Sequence, residues 1–91
     1  MDFEWDEEKN RININKHGIS FQTAAKVFLD PDRLEFDDTM HSNKSEIRSI
    51  VIGKVHKVLF VAYTERTNVI RLISARRATK DEEDIYYDNI I

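Results

Sequence analysis

Arg66, Arg71, Arg76, Arg77 and Lys80 fall in one stretch of the chain that holds no acidic residue. Four of these five cations are arginines, which keep their charge at any workable pH and present a planar fork of donors matched to phosphate oxygens. The whole chain is slightly acidic, with 14 Lys and Arg against 17 Asp and Glu and a formal charge of −3. The basic stretch is therefore a local feature. Spread over a strand, a turn and a helix entry, its arginines suit a polyanion site better than a charged tail would. The alternative is solvated charge, or pairing with the acids that follow from Asp81 to Asp88. On the residues alone that alternative is favoured.

Groups able to move protons are few. Lys16 and His17 stand at an expected helix C-terminus, where the dipole favours a charged imidazole. His17 is thus a candidate general acid or base and, equally, a plain helix cap. Glu65 is isolated among bases, as a general base, as an orienter of an arginine, or as the turn partner of Arg66. Glu46 and Arg48 stand two apart on one strand face, placed to pair. Asp37, Asp38 and His41 are metal-ligand types, but in a polar loop they read as solvated. His56 is expected to be exposed in a hairpin turn. Trp5 and Tyr63 either pack or stack on bases, Tyr63 being the better stacking candidate. The absence of cysteine excludes a disulfide framework, a thiolate nucleophile and Cys-ligated zinc. No phosphate-binding or dinucleotide fingerprint is present.

The hydrophobic pattern indicates how these groups are carried. Phe3 and Trp5 alternate with Glu4, as in a short edge strand. Asp6 reads as an N-cap, and the first helix should run to about His17 and stop at Gly18. Its polar residues surround Ile12 and Ile14, so it should bury little and leave surface to a partner. Ser20 caps a second helix whose Phe21, Ala24, Ala25 and Phe28 form a core stripe ended by Pro31. Strands are expected at Arg33 to Asp37, Ile47 to Ile52, Val58 to Thr64 and Val69 to Ser74. A polar loop at Asp38 to Ser45 and turns at Gly53 to Lys57 and Glu65 to Asn68 separate them. Val58 to Thr64, almost wholly apolar, is the central strand. Arg71 shares a strand face with Val69 and Ile73. Thr79 and Glu82 form a capping box before a last helix with Tyr86 and Ile90 on one face and Tyr87 and Ile91 beside them. The fold class is α+β: a short N-terminal strand, two helices, an antiparallel four-stranded sheet and a C-terminal helix.

The 91 residues fit one domain over 1–91. No apolar run approaches the ~20 residues of a membrane span. The acidic N-terminus lacks the apolar segment of a signal peptide. A cytoplasmic protein with no membrane partner is expected. Residues 9 to 29 hold bases and no acid, whereas 81 to 91 hold acids and no base. Net charge therefore conceals a basic interior.

FEWDEEK (Phe3 to Lys9), Asn13, KHGISF (Lys16 to Phe21), AAKVFLDP (Ala24 to Pro31), His41 and Ser42, Glu46 and Arg48, YTER (Tyr63 to Arg66) and RLISARRATKDE (Arg71 to Glu82) follow one another in order. The series resembles the BrnT family of bacterial type II toxins. The resemblance implies a fold similar to RelE-type ribonuclease toxins, and RNA cleavage without a metal or other cofactor, which inhibits translation. It also implies a cognate BrnA-like ribbon-helix-helix antitoxin, usually in a 2:2 complex that binds operator DNA through the antitoxin and represses its own operon.

Cleavage of RNA through its own 2′-hydroxyl needs stabilisation of an anionic phosphorane-like transition state, removal of the 2′ proton and protonation of the leaving 5′-oxygen. With the resemblance in place, Arg71 and Arg76 are the expected phosphate stabilisers and His17 or Glu65 the proton carriers. Lys16, Arg48, Tyr63, Arg66 and Arg77 are expected to bind RNA, Arg77 being the most structural of the arginines. The competing expectation is a binding module that acts only by stoichiometric association with its antitoxin. Direct DNA binding by the toxin is the weakest reading, because the chain has no basic recognition helix.

Overall fold

Helix ends are set locally, by side chains that satisfy free backbone groups. In the computed structural model, which describes residues 1–90, Asp6 accepts from the Glu8 and Lys9 N–H groups and starts α1 (Glu7–His17). Gly18, at φ 71°, ends it. Ser20 caps α2 (Phe21–Ala24), which tightens into a 3-10 segment, Ala25–Leu29, before Pro31. Thr79 and Glu82 form the full capping box of α3 (Lys80–Asp88). No described helix is long and apolar enough to cross a membrane.

The strands are β1 (Asp2–Glu4), β2 (Leu34–Asp37), β3 (Arg48–Val55), β4 (Lys57–Arg66) and β5 (Val69–Arg77). They form one mixed sheet in the order β1-β5-β4-β3-β2. Val58 to Thr64 is central, as expected. The expected four-stranded antiparallel sheet is corrected: β1 is a fifth strand, parallel to β5. The helices carry the chain from β1 at one sheet edge to β2 at the other, and three successive reversals then bring β5 back beside β1 in the parallel sense; a strand's own pattern does not encode its partner's direction.

Three boundaries also differ from expectation. The β3–β4 reversal occurs at His56 (φ 63°), so Gly53, Lys54 and Val55 are strand residues. Gly53 reads as a turn glycine but serves close packing: a Cβ there would stand 3.0 Å from Val27 Cβ. The next turn is only Thr67 and Asn68 (φ 39° and 70°), which leaves Glu65 and Arg66 on β4. Arg76 and Arg77 end β5 and are not a helix entry.

One sheet face packs on α1, α2 and the 3-10 segment through Phe21, Ala24, Val27, Val51, Val61 and Leu72. The second face carries Ile50, Ile52, Val58 and Ala62, and Tyr86 of α3 closes one end of it. Tyr86 is buried, while Ile90 is 45% exposed, so the two do not share a buried face. Ile91 lies outside the described residues.

The first helix reverses the expected pattern. Ile12 and Ile14 are exposed, and Asn10 and Asn13 are buried. Beyond Arg71 the outer edge of β5 has no strand partner, because β1 pairs only with Val69 to Arg71. Asn13 fills that role. Its Oδ1 accepts from Ala75 N–H at 3.1 Å, and its Nδ2 donates to Ala75 O at 2.9 Å and Ile19 O at 2.8 Å. Asn10 Oδ1 accepts from Phe21 N–H at 2.8 Å. A polar helix thus docks through amides that satisfy buried backbone. Asn13→Ala is expected to lower stability by about 2–3 kcal/mol, because it strands the Ala75 groups. Urea unfolding checks this: the midpoint falls while the slope is unchanged.

Candidate nucleic-acid interface

The register between β4 and β5 decides which arginines meet. Tyr63 pairs with Leu72 and Ala62 with Ser74, so Ile73 is an extra residue in β5. Side chains alternate along a strand, so Arg71 and Arg76, five positions apart, would otherwise point to opposite faces. The bulge restores them to one face, opposite Thr64 and Phe60 respectively.

On that face a row of side chains crosses the sheet. Arg48 of β3 pairs with Thr64 of β4, which pairs with Arg71 of β5, which pairs with Glu4 of β1. Arg71 and Glu4 form an ion pair at 3.6 Å. At the other end, Asp38 N–H donates to Arg48 O at 2.7 Å and extends the row by one residue past β2. Ser42 holds this corner, accepting from Arg48 N–H at 2.9 Å and donating to Asp38 O at 2.7 Å. His41 Nδ1 lies 2.7 Å from Asp38 Oδ2. Arg66, on the same strand face as Thr64, donates to Glu46 Oε2 at 2.7 Å.

The electrostatics follow from this crowding. The hydrogen bond from Arg66 holds the Glu46 carboxyl below its usual range, and the charges of Arg66, Arg48 and Arg71 add to the effect. Glu46 in turn holds Arg66 firmly charged. Three guanidinium groups and an ionised carboxylate therefore act on one another at the end of the face that α3 leaves open. Such a surface can clamp a phosphate and accept a proton.

The expected site residues divide between the two faces. Arg48, Arg66, Arg71 and Arg76 share one. Glu65 pairs with Ile70, which lies in the helix-side core, and so faces the other side of the sheet. His17 and Lys16 are exposed at the end of α1, in the helix layer. Arg77, opposite Leu59, also faces the helix side. Tyr63 is 4% exposed, its ring set against Phe28 with centroids 5.1 Å apart. Its hydroxyl donates to Glu35 at 2.9 Å. Burial, then this carboxylate, push the hydroxyl pKa up. Tyr63 is core and offers no free ring face for stacking. Trp5 likewise packs edge-on against Phe21.

Arg76 is engaged elsewhere. It binds both Glu82 oxygens, at 2.8 and 3.0 Å, and lies 3.9 Å from the Phe60 ring centroid. It fastens α3 to the sheet.

Asp38, His41, Glu46 and Thr64 are the members that residue-by-residue reading does not assemble. The pairing of Asp38 and His41 at i and i+3 was the available signal for two of them.

Residues 5–82 match a family model described as the ribonuclease toxin BrnT of type II toxin-antitoxin systems. The fold is similar to the crystal structure of the Brucella abortus ribonuclease toxin BrnT, with a TM-score of 0.68 and 27% identity. That similarity covers 88% of this chain and 99% of the Brucella chain. A search of curated proteins gave no match.

The Arg76 hydrogen bond holds the Glu82 carboxyl below its ordinary value of 4.5. A depressed carboxyl stabilises fully above its unfolded pKa and loses that contribution as pH falls through the folded one. Glu82→Gln is therefore expected to lower the neutral-pH Tm by about 4–8 °C, as for a loss of about 1 kcal/mol. The difference from wild type should close below pH 4.5. Thermal melts across that range check it.

Proposed function

The chain belongs to the BrnT family of ribonuclease toxins of type II toxin-antitoxin systems, and from that premise we propose that it is a metal-independent endoribonuclease whose site is the row from Asp38 to Glu4. The observation that supports this most is the pair Arg48 and Arg71, carried on the two strands that flank β4 and on one open face. The two guanidiniums take the scissile phosphate between them and stabilise the charge of the phosphorane. Glu46, kept ionised by its arginines, accepts the 2′-hydroxyl proton. His41, oriented through Nδ1 by Asp38, presents Nε2 to protonate the leaving 5′-oxygen. Arg66 holds Glu46 and adds to the attraction for RNA. His17 and Glu65, on the other side of the sheet, take no part, and Arg76 acts through α3.

The wider reading rests on the family. It is a single RelE-like toxin domain in the cytoplasm that inhibits translation. A BrnA-like ribbon-helix-helix antitoxin neutralises it, and the 2:2 complex represses its operon by binding DNA through the antitoxin.

The test is cleavage of purified RNA by the partner-free protein in EDTA. Wild type is expected to cut. Arg71→Ala and Arg48→Ala, with unchanged melting, should lose about 10²–10³-fold. His41→Ala should lose about 10²-fold or more. Full activity in EDTA with Arg71→Ala would remove that residue from the site. A folded wild type that cuts no naked RNA yet stops a translation extract acts on the ribosome. One that does neither, and is harmless when expressed alone, is the stoichiometric binder.

A further inference from the structure

Thr64 is 1% exposed, and among the described residues its Oγ1 is the buried side-chain oxygen or nitrogen that has no hydrogen-bond partner. The other buried polar side chains, Asn10 and Asn13, are bonded to backbone. A buried hydroxyl without a partner destabilises a fold, and valine would fill the same volume on a strand without that penalty. Packing alone therefore gives no reason for threonine at the centre of this sheet. Its position gives one: Thr64 lies directly between Arg48 and Arg71, where paired side chains stand within about 5 Å at Cβ.

We propose that Thr64 is the phosphate-orienting donor of this site, its hydroxyl bonding a non-bridging oxygen of RNA held between Arg48 and Arg71. The inference rests on the ribonuclease reading above. In the free protein Arg71 leans to Glu4 at 3.6 Å, longer than a hydrogen bond, with both side chains about a third or more exposed (32% and 42%). Such a pair is weak and exchangeable. A phosphate that replaces Glu4 on Arg71 and is held between the two arginines supplies the acceptor that the Thr64 hydroxyl lacks. The hydroxyl then fixes which phosphate oxygen faces each arginine, and so the line of attack by the 2′-oxygen.

The experiment compares Thr64→Val and Thr64→Ser in the full chain. It reads urea stability, single-turnover cleavage, and low-salt binding of a 2′-deoxy-substituted oligonucleotide that cannot be cut. Thr64→Val is expected to be at least as stable as wild type, yet to cleave about tenfold to a hundredfold more slowly and bind the analogue more weakly. Thr64→Ser should restore most of the loss. Equal cleavage by Thr64→Val and wild type overturns the inference while leaving the ribonuclease reading intact. A destabilised Thr64→Val also overturns it, since the hydroxyl then has a structural partner. If wild type cuts no naked RNA, the reading of it as a nuclease on free RNA fails and analogue binding decides: weaker binding by Thr64→Val supports the contact, equal binding overturns it.

Discussion

One extra residue in β5 determines the arrangement of this molecule. With Ile73 bulged, the strand before it and the strand after it keep opposite alternation. Two anchors grip β5 just past that point. On one side Asn13 completes the backbone of Ala75. On the other, Arg76 reaches Glu82 and lies over Phe60. Without the bulge, Ala75 and Arg76 would exchange faces. The α1 amide would lose its target alignment, α3 would lose its tether, and Arg71 would be the one arginine that β5 gives to its face.

The arginines of the open face are kept tolerable to one another by two carboxylates of different character. Glu46 is bound to Arg66 by a short hydrogen bond, and its ionisation is tied to the surrounding charge. Glu4 meets Arg71 only loosely. Arg48 forms no ion pair among the described residues. The face thus offers an incoming anion one free cation, one lightly held and one firmly held. Exchange of one anion for another on Arg71 costs less than creating a bare buried charge would.

Local rules were legible in the sequence. Asp6, Gly18, Ser20 and the Thr79–Glu82 capping box work as their types suggest, because a cap depends on neighbours three residues away. The apolar run of β4 and its central place were legible for the same reason of simple pattern. Long-range constraints were not. Nothing around Ile73 marks a bulge, and Gly53 looks like a turn although Val27 is what excludes a side chain there. Asn10 and Asn13 read as solvated because their acceptors and donors lie elsewhere in the chain. The site was legible in the same measure. Arginine chemistry singled out Arg71 and Arg76, with Arg48 in support; Arg71 and Arg48 share the open face, whereas Arg76 is held by Glu82. Glu65 looked adjacent to Arg71 in sequence, but the alternation of β4 turns it to the other face. Tyr63 matched a stacking residue by type, yet its ring completes the core against Phe28. His41 and Asp38 looked like loop polarity until β2 brought Asp38 beside Arg48.

The parallel pairing of β1 with β5 has a consequence during synthesis. Glu4 is made before both helices that precede β2 and meets Arg71 only after they and the intervening strands have been made. The row draws on residues 4, 38, 48, 64 and 71, so a fragment that stops before Arg71 does not carry it. A chain that emerges from the ribosome in order must close its longest-range contact last. Products abandoned before Arg71 therefore hold scattered charges and no assembled face. For a protein of a toxin family, harm then requires that synthesis run past Arg71.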